Sequence, residues 1–336
     1  MSPLRLRIEV EKLPLREPFR IAGYIWTELD IVVATLEDGT HRGRGEACGV
    51  YYLNDTAQSL VAELGAVRGE IEAGIDREGL QRLLPRGGAR NAVDCALWEL
   101  DAKRAGVPVW KLAGLTAPKP LLTTITLGAE DPEIMAARAL RHARVRALKL
   151  KLTGDLDIDI ARVQAVRAAR ADVWIGVDAN QSYTIDALPA LIAALEIERV
   201  ALLEQPLRRG CESELDGFKS SIPMAADESV LDLSELPKAV RRFDIVNIKL
   251  DKCGGLTEGL AMAHEARRLG LGVMVGNMVG TSLAMAPAFV LGQFCDVVDL
   301  DGPTFLTRDR KPAAAYDDGH IWCGDQVWGG AAALPA

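Results

Sequence analysis

The chain has 336 residues, a net charge of -8 and a pI of about 5.2, with 49% hydrophobic and 26% charged residues. This composition is that of a globular protein and excludes a disordered one, and the length suits a barrel with or without a smaller domain. The acidic balance and the lack of a long basic run argue against a nucleic-acid partner.

The six cysteines are scattered and no two of them form a CxxC pair, so zinc and disulfide interpretations have little support. The N-terminal "MSPLRLRIEVEK" lacks the apolar segment of a signal peptide. No apolar run reaches the roughly 18 residues of a membrane span. We therefore expect a soluble, cytoplasmic protein with no membrane partner.

The first third of the chain predicts strands followed by helices. "LRLRIEVEKL" alternates with a period of two, and Asp38-Gly39 is a hairpin signal between two further strands. The pattern is helical from about 56 to 105, most clearly in "GARNAVDCALWELDAKRAG", where Gly106 is a stop signal. A Pro-rich linker follows. We expect an α+β domain over residues 1–118, completed by the C-terminal segment 310–336.

Short apolar strands and amphipathic helices alternate after the linker. Eight strands are predicted, near 121–126, 147–152, 173–178, 200–204, 222–227, 244–249, 271–276 and 296–301. Charged residues at the strand ends recur about every 25 residues, the length of one strand, one helix and two loops. The sequence therefore predicts an α/β fold, with a closed (β/α)8-type barrel over residues 119–309 and the α+β domain as its cap.

Three carboxylates stand at the ends of consecutive predicted strands, in "IGVDAN", "LLEQP" and "MAADES". Catalytic groups of such barrels come from the C-terminal ends of the strands, so Asp178, Glu204 and Asp227 should converge. Unpaired, they would repel one another, and a divalent cation with oxygen ligands such as Mg²⁺ resolves this. The alternative for each one alone is a helix cap or an ion pair.

Lysines flank these carboxylates on both sides. Lys149 and Lys151 share one face of the strand before them, and Lys249 ends the strand after them. A substrate carboxylate on the metal would then have amines on both faces of its α-carbon, which suits removal of a proton on one side and its return on the other. Taken alone, "KLKL" is more typical of an edge strand with a solvated lysine face, and the matching Lys249 beyond the carboxylates is what favours the catalytic interpretation.

A second pair of carboxylates, Asp299 and Asp301 in "VVDLDGPTFL", also shares one face and could hold a substrate cation such as an α-ammonium group. The alternative is a pair of loop-capping aspartates. None of the four histidines ends a predicted barrel strand, and no GxSxG or Walker A pattern occurs.

These residues together resemble the enolase superfamily, most closely its muconate-lactonizing subgroup with KxK on the second barrel strand and a lysine on the sixth. The matching segments cover nearly the whole chain: "RNAVDCALWELDAK", "KLKL", "VDANQSY", "LLEQPL", "ADES", "VNIKLDKCGGLTE" and "DLDGP". Within the subgroup, the aspartate pair of "DLDGPTFL" is similar to the hallmark of dipeptide epimerases, where it binds the free amino group of the substrate.

The resemblance implies the role of each site residue. Lys151 and Lys249 are the acid/base pair, and Lys149, with Thr126 near it, binds and polarises the substrate carboxylate. The ligands of Mg²⁺ are Asp178, Glu204 and Asp227. The implied enzyme is a Mg²⁺-dependent isomerase, a dipeptide epimerase that inverts the α-carbon of the C-terminal residue by 1,1-proton transfer through an enediolate. The N-terminal domain is implied to be its specificity cap.

The first cap loop, "EPFRIAGYIWTE", departs from the pattern of epimerases for Ala-Glu dipeptides. Those enzymes carry an arginine soon after "PF" that contacts the glutamate side chain. Gly23 stands at the aligned position, and Arg20 lies three residues earlier. Tyr24, Ile25 and Trp26 favour an apolar or aromatic pocket, with Tyr24 and Trp26 as substrate-binding residues, although they could instead pack the cap against the barrel. A hydrophobic dipeptide is therefore at least as plausible a substrate as Ala-Glu.

Other functions remain open at this point. The same groups would serve an N-acylamino-acid racemase, an o-succinylbenzoate synthase or a cycloisomerase, whose substrates lack the cation that Asp299 and Asp301 would bind. A Schiff-base lyase on the same barrel and a binding protein on a barrel without activity are the more distant alternatives. We expect a small-molecule dipeptide substrate, no nucleic-acid partner and a homo-oligomer.

Overall fold

A three-stranded antiparallel sheet opens the computed structural model, which describes residues 3–330. Its strands are β1 (Arg5–Ile21), β2 (Tyr24–Glu37) and β3 (Arg42–Cys48), with β2 in the centre. The hairpin predicted at Asp38-Gly39 is confirmed: Asp38 Oδ1 accepts hydrogen bonds from the backbone N–H groups of Thr40 (2.9 Å) and His41 (2.7 Å).

Five helices follow the sheet: α1 (Ala57–Ala66), α2 (Arg68–Glu72), α3 (Arg77–Leu83), α4 (Gly88–Ala105) and α5 (Val109–Leu112). The helix predicted before Gly106 is α4, and Gly106 ends it in the left-handed conformation at φ 64°. This helix packs very closely on β3, because a Cβ atom at Gly43 would lie 1.9 Å from the carbonyl oxygen of Ala96. The cap is thus a sheet covered by one long buried helix.

The barrel is an eight-stranded parallel sheet. After β4 (Leu121–Leu122), its strands are β5 (Ile125–Leu127), β6 (Ala147–Lys151), β7 (Trp174–Asp178), β8 (Leu202–Glu204), β9 (Met224–Ala226), β10 (Ile245–Ile248), β11 (Gly272–Val275) and β12 (Val297–Val298). They pair in chain order from β5 to β12. The backbone N–H of Thr124 donates to the carbonyl of Val298 (3.1 Å) and so joins the first strand to the last. The curled sheet is therefore closed, as the sequence predicts.

The helices between the barrel strands are α6 (Pro132–Arg141), α7 (Leu156–Ala169), α8 (Leu188–Ile197), α9 (Leu236–Ala239), α10 (Leu250–Cys253), α11 (Leu256–Arg268) and α12 (Ser282–Gly292). The alternation is less regular than eight equal units. A 3-10 turn at Glu212–Leu215 stands between β8 and β9 where an α-helix is expected, and α9 has only four residues. Of the helices within residues 3–330, none is both long and apolar enough to cross a membrane.

The first predicted barrel strand, 121–126, is wrong in extent because two threonines divide it. Leu121–Leu122 pairs instead with β14 (His320–Trp322), which is joined to β13 (Ala315–Asp317). Between the two pieces, the N–H of Thr123 donates to Gly319 O (2.9 Å) and that of Thr124 turns to the last barrel strand. One apolar run in the sequence thus serves two sheets.

The C-terminal segment contacts the cap. Trp328 Nε1 donates to the carbonyl of Arg44 (2.8 Å), and the N–H of Val109 donates to Gly329 O (2.8 Å). The guanidinium of Arg310 lies 2.9 Å from the buried carboxylate of Glu46 on β3. These contacts agree with a segment that completes the cap, but the division at residues 118/119 and 309/310 stays a prediction. Residues 331–336 of the predicted segment and residues 1–2 of the cap lie outside the described residues.

Candidate active site

Three buried carboxylates meet at the C-terminal ends of neighbouring barrel strands. Asp178 and Glu204 are the last residues of β7 and β8, and Asp227 directly follows β9. All three are fully buried, and one oxygen atom of each lies within 4.8 Å of the others. They form the buried metal site that the sequence predicts from a carboxylate at the end of each of three consecutive strands.

The electrostatics of the three carboxylates favour a cation among them. Burial would raise the pKa of Asp178, but mainly Lys151 holds that pKa at about 2. Burial likewise opposes ionisation of Asp227, yet Lys249 and Lys252 hold its pKa below the usual range. For Glu204, burial and then the charge of Asp178 raise the pKa to about 7. The lysine ammonium groups thus do not fully compensate the negative charge of the third carboxylate, Glu204.

Unpartnered acceptor atoms around the carboxylates indicate room for the same cation. Within the described residues, the buried atoms Glu228 Oε2 and Asn180 Oδ1 have no hydrogen-bond partner. Both belong to this site, since Asn180 Nδ2 lies 3.4 Å from Glu228 Oε1 and the Asn180 N–H donates to Asp178 Oδ1 (2.9 Å). Buried oxygens without donors are the ligands and water acceptors that a hydrated Mg²⁺ uses. The residues present therefore fit this metal.

The three predicted lysines all lie at this site and are buried. Lys149 Nζ lies 2.7 Å from Glu204 Oε2 and 2.9 Å from Asp299 Oδ2, and Lys151 Nζ donates to Asp178 Oδ2 (2.5 Å). Across the barrel, Lys249 Nζ donates to Asp227 Oδ2 (2.6 Å). Burial lowers the pKa values of Lys149 and Lys249, but the facing carboxylates outweigh it and raise both. Because Lys151 and Lys249 approach different carboxylates, a space is left between them.

Sequence reasoning missed two residues that hold the carboxylates. Lys252 is fully buried, and its Nζ donates to Asp227 Oδ1 (2.6 Å) and to the carbonyl of Asn247 (2.9 Å). Asn247 Nδ2 donates to Glu204 Oε1 (2.8 Å). A signal was present, because Asn247 lies two residues before Lys249 on β10 and so shares its face. The spacing of Lys252 in "KLDKCGG" carries no comparable signal.

Asp299 and Asp301 follow β12 and lie beside Lys149. Asp299 accepts from Thr124 Oγ1 (2.5 Å) as well as from Lys149 Nζ, and Asp301 Oδ2 accepts from the N–H of Thr126 (2.7 Å). Burial opposes the ionisation of Asp299, but Lys149 lowers its pKa. In contrast, burial and the charge of Asp299 raise the pKa of Asp301 to about 7. Asp301 is thus the carboxylate of the pair that most lacks a positive partner.

An open cavity lies between these polar groups and the cap, with about 730 Å³ of space when the solvent at its mouth is included. The polar residues at its base include the three lysines, Thr126, Asp299 and Asp301. Its upper wall is apolar and aromatic, with Trp26 and Phe19 from the hairpin of β1 and β2, Tyr51 from the loop after β3, and Phe305 after β12. Among residues 3–330, no arginine lines the cavity. The base therefore suits a polar, zwitterionic end of a ligand and the wall suits an apolar side chain.

The two predicted aromatic cap residues differ in position. Trp26 lines the cavity, with its ring centroid 5.1 Å from that of Tyr51. Tyr24 is 44% exposed and is not among the described residues that line the cavity. Its ring stacks on Trp26 at a centroid distance of 5.4 Å and an interplanar angle of 3°. The contact expected between Tyr24 and a ligand is therefore indirect, through Trp26.

Arg20 points away from the cavity. Its Nε lies 3.4 Å from Glu130 Oε1, whereas its neighbours Phe19 and Ile21 line the cavity. Gly23 lies in the turn between β1 and β2 at φ +78°, a conformation that glycine adopts most readily. Neither residue thus brings a positive charge to the ligand space.

Comparison with known proteins agrees with this geometry. Residues 134–327 match the family model "Enolase C-terminal domain-like", and residues 5–114 match "Mandelate racemase / muconate lactonizing enzyme, N-terminal domain". The chain is 39% identical to the L-Ala-D/L-Glu epimerase of Escherichia coli (strain K12) over 94% of this chain and 98% of that protein.

Two solved structures superpose closely. One is an enolase family member from Agrobacterium tumefaciens with homology to dipeptide epimerases, with bound sodium and L-Ala-L-Glu: its TM-score is 0.94 at 36% identity, over 97% of this chain and 100% of that one. The other is a dipeptide epimerase from Methylococcus capsulatus complexed with Mg and the dipeptide L-Arg-D-Lys: its TM-score is 0.89 at 29% identity, over 96% and 97% of the two chains.

Proposed function

The chain belongs to the mandelate racemase and muconate lactonizing enzyme family of the enolase superfamily and is an isomerase; we propose that it is a Mg²⁺-dependent epimerase of dipeptides. One observation carries the proposal. Two buried lysines on opposite sides of a three-carboxylate site accompany a second carboxylate pair that retains an unpaired member. The first arrangement suits inversion at a carbon next to a carboxylate, and the second suits a free amino group.

Lys151 and Lys249 exchange the α-proton of the C-terminal residue. A cation held by Asp178, Glu204 and Asp227 would offset the carboxylate charge that raises the pKa of Lys249, and so favour a neutral amine there. The neutral amine of one lysine takes the proton from one face of the α-carbon, and the ammonium group of the other gives a proton to the opposite face. Their burial excludes bulk water from the transfer. Because either lysine can act as the base, both diastereomers of the dipeptide are substrates.

The carboxylate of the substrate binds between the metal site and Lys149. Asp178, Glu204 and Asp227 would hold Mg²⁺, which as a Lewis acid stabilises the negative charge that develops on the substrate carboxylate as the α-proton leaves. Lys149 contributes a fixed positive charge at the same place, because Asp299 and the raised pKa keep its amine protonated.

The amino group of the substrate binds at Asp301 and Asp299. Among the described residues, Thr126 alone bonds the carboxylate of Asp301 and no salt bridge reaches it, so an ammonium group would find an acceptor there. An N-acylated amino acid brings no positive charge to this carboxylate. This difference favours a dipeptide over the N-acylamino-acid, o-succinylbenzoate and cycloisomerase substrates of the same family.

The side chain of the C-terminal residue faces the cap, and we propose that it is hydrophobic. The support is the wall of Trp26, Phe19 and Tyr51 together with the absence of an arginine from the described lining. A buried glutamate side chain would be left without a cationic partner here, which costs several kcal/mol in an apolar environment (roughly 2–7 kcal/mol even for an uncharged polar group).

The test is exchange of the α-proton for deuterium in D₂O, followed by NMR on a dipeptide library with the enzyme in Mg²⁺ buffer. Ala-Leu and Ala-Phe should exchange and epimerise faster than Ala-Glu. N-succinyl amino acids serve as the comparison set, and Asp301→Asn should slow the dipeptides but not the N-succinyl compounds. Exchange of N-succinyl amino acids alone would indicate an N-acylamino-acid racemase. The lack of any dipeptide exchange would refute the proposal.

A further inference from the structure

A second cleft, which the proposed reaction does not use, adjoins the active-site cavity. It lies between the cap segment that begins at Arg16, strand β5, helix α6 and the residues around Phe305, and has about 920 Å³ of space when the solvent at its mouth is included. Phe19, Thr126 and Phe305 line both spaces, so these three residues form the wall between them. A ligand group in the cleft would thus lie next to a ligand in the active site.

The cleft is basic in a chain whose net charge is -8. Three guanidinium groups line it, those of Arg16, Arg138 and Arg141, against the single carboxylate of Glu17. Glu17 lies 2.7 Å from Arg138 and 4.0 Å from Arg141. Glu130 lies 3.8 Å from Arg138 but also 3.4 Å from Arg20, so two carboxylates face four guanidinium groups and a positive excess remains. A local excess of arginine suits a carboxylate, since guanidinium groups bind carboxylates through paired N–H donors.

Two further observations point to an unsatisfied positive potential in the cleft. The buried Arg138 Nε has no hydrogen-bond partner within the described residues. His142 also lines the cleft, and burial together with the charges of Arg141, Arg170 and Arg138 lowers its pKa. Arg16 is held in place, because its Nε donates to the carbonyl of Leu306 (2.6 Å).

The cleft lies on the side of the cavity that would receive the N-terminal residue of a dipeptide. The Thr126 N–H binds Asp301, the proposed acceptor of the substrate ammonium group, and Thr126 also lines the cleft. The carbon that bears the ammonium group would therefore stand beside the shared wall. The side chain of the C-terminal residue instead faces Trp26, which does not line the cleft among the described residues.

We propose that this cleft is a subsite for the acidic side chain of an N-terminal glutamate or aspartate, so that this enzyme prefers dipeptides with an anionic first residue over those with a neutral one. The inference rests on the proposed function and deepens it. In this arrangement the first side chain extends past Thr126 in the shared wall, and its carboxylate faces Arg138 and Arg141. Arg16 closes the cleft on the cap side.

The experiment compares Glu-Leu with Gln-Leu, which differ in the charge of the first side chain and are otherwise nearly isosteric. The wild-type enzyme should show a higher kcat/KM for Glu-Leu. Arg141→Gln should lower the Glu-Leu to Gln-Leu ratio roughly five- to tenfold, the scale of one charge-assisted contact near the surface. Since Arg141 is 61% exposed, this variant should fold, and Arg138→Gln provides a second, more buried test.

Arg144→Gln is the matched control. Its side chain is 75% exposed, pairs with Asp317 and lines neither space, so the ratio should not change. Activity on Gln-Leu with no preference for Glu-Leu, or a preference that survives both variants, would overturn the subsite and leave the epimerase intact. Inhibition by inorganic phosphate that Arg141→Gln relieves, without a preference for Glu-Leu, would assign the cleft to a free anion and overturn it as well. If neither dipeptide exchanges with the solvent, the proposed function itself fails.

Discussion

Lys151 and Lys249 lie on or directly after strands that are four places apart in the eight-strand order of the barrel, so their amines approach the carboxylate site from opposite sides. Lys151 contacts Asp178 at 2.5 Å and Lys249 contacts Asp227 at 2.6 Å. The separation of the two lysines is what distinguishes inversion of a carbon from simple exchange of its proton.

Replacement of either lysine should strongly slow epimerisation but spare exchange at one diastereomer. Lys249→Ala and Lys151→Ala are each expected to slow inversion roughly 10²- to 10⁴-fold, because the acid or the base of one face is lost. The remaining lysine still removes and returns a proton on its own face. NMR in D₂O with the separate diastereomers of one dipeptide measures this.

The two variants should therefore spare opposite diastereomers. Lys238→Ala, at a 61% exposed side chain on α9, is the control and should leave both rates unchanged. Loss of exchange at the same diastereomer in both lysine variants would place the two amines on one side of the α-carbon and contradict the arrangement.

Metal affinity should depend on Asn247 as well as on the three carboxylates. Asn247 is fully buried and donates to Glu204 Oε1 (2.8 Å), so it fixes the orientation of a carboxylate whose other oxygen faces Lys149. Partners of ligand residues typically contribute 10- to 100-fold to metal affinity. Asn247→Leu should weaken Mn²⁺ binding by about this factor in calorimetry, and EDTA should abolish activity that Mg²⁺ restores.

Gln293→Leu provides a matched amide-to-leucine control, since the side chain of Gln293 bonds only the backbone of Lys119 in the described structure. Equal Mn²⁺ affinity of the Asn247 variant and the wild type, at equal thermal stability, would remove Asn247 from the metal site.

The strand-end residues were predictable because they depend on only two regularities. A buried parallel strand shows as a short apolar run, and the barrel brings the last residue of each run to one face. The position at the end of an apolar run is enough to predict that Asp178, Glu204, Asp227 and Lys249 lie on the same face of the barrel. The approach of Lys252 to Asp227 was not predictable, since it depends on how the short helix α10 turns back below β9 and β10.

The cap loop shows where the sequence pattern is insufficient. Alternation along β1 places Phe19 and Ile21 on the face opposite to Arg20, and this feature indicates that Arg20 cannot reach the ligand. For Tyr24 and Trp26 the same rule gives one shared face and cannot say which ring lies nearer the barrel. Tertiary packing decides it: Trp26 lines the cavity, and the exposed Tyr24 stacks on its outer side.

Trp26 should therefore control specificity more strongly than Tyr24. Trp26→Ala removes the ring that lines the cavity and should lower kcat/KM for Ala-Phe and Ala-Leu roughly tenfold, the scale of about 1.4 kcal/mol of lost apolar contact. Tyr24→Ala removes only the ring that stacks on Trp26 and should lower the same kcat/KM values about twofold. Steady-state kinetics on these dipeptides measures both, with Ala-Ala as the substrate that has the smallest side chain on an invertible α-carbon. An equal loss in the two variants would contradict the indirect role of Tyr24.

Asp94 should make the stability of the folded protein depend on pH. It lies on α4, is fully buried, and accepts from the N–H of Thr257 on α11 (2.9 Å), so it joins the cap to the barrel. Burial raises its pKa to about 6, against the hydrogen bonds from Thr257, whereas an unfolded aspartate has a pKa near 3.9. A raised pKa means that the folded state binds the proton more tightly. The contribution of Asp94 to the free energy of unfolding is complete below about pH 3.9 and is lost as the pH rises through about 6.

Asp94→Asn cannot ionise, so its stability relative to the wild type should rise between pH 4 and pH 7. The difference between the folded and unfolded pKa values of Asp94 corresponds to at most about 3 kcal/mol in the free energy of unfolding. Thermal unfolding of both proteins across this range measures the difference, and Asp157→Asn, at an exposed position of α7, is the control that should show no trend. A difference that stays constant or falls with rising pH would mean that Asp94 is already ionised in the folded protein near pH 4, and that its contacts with Thr257 and the nearby arginines outweigh its burial.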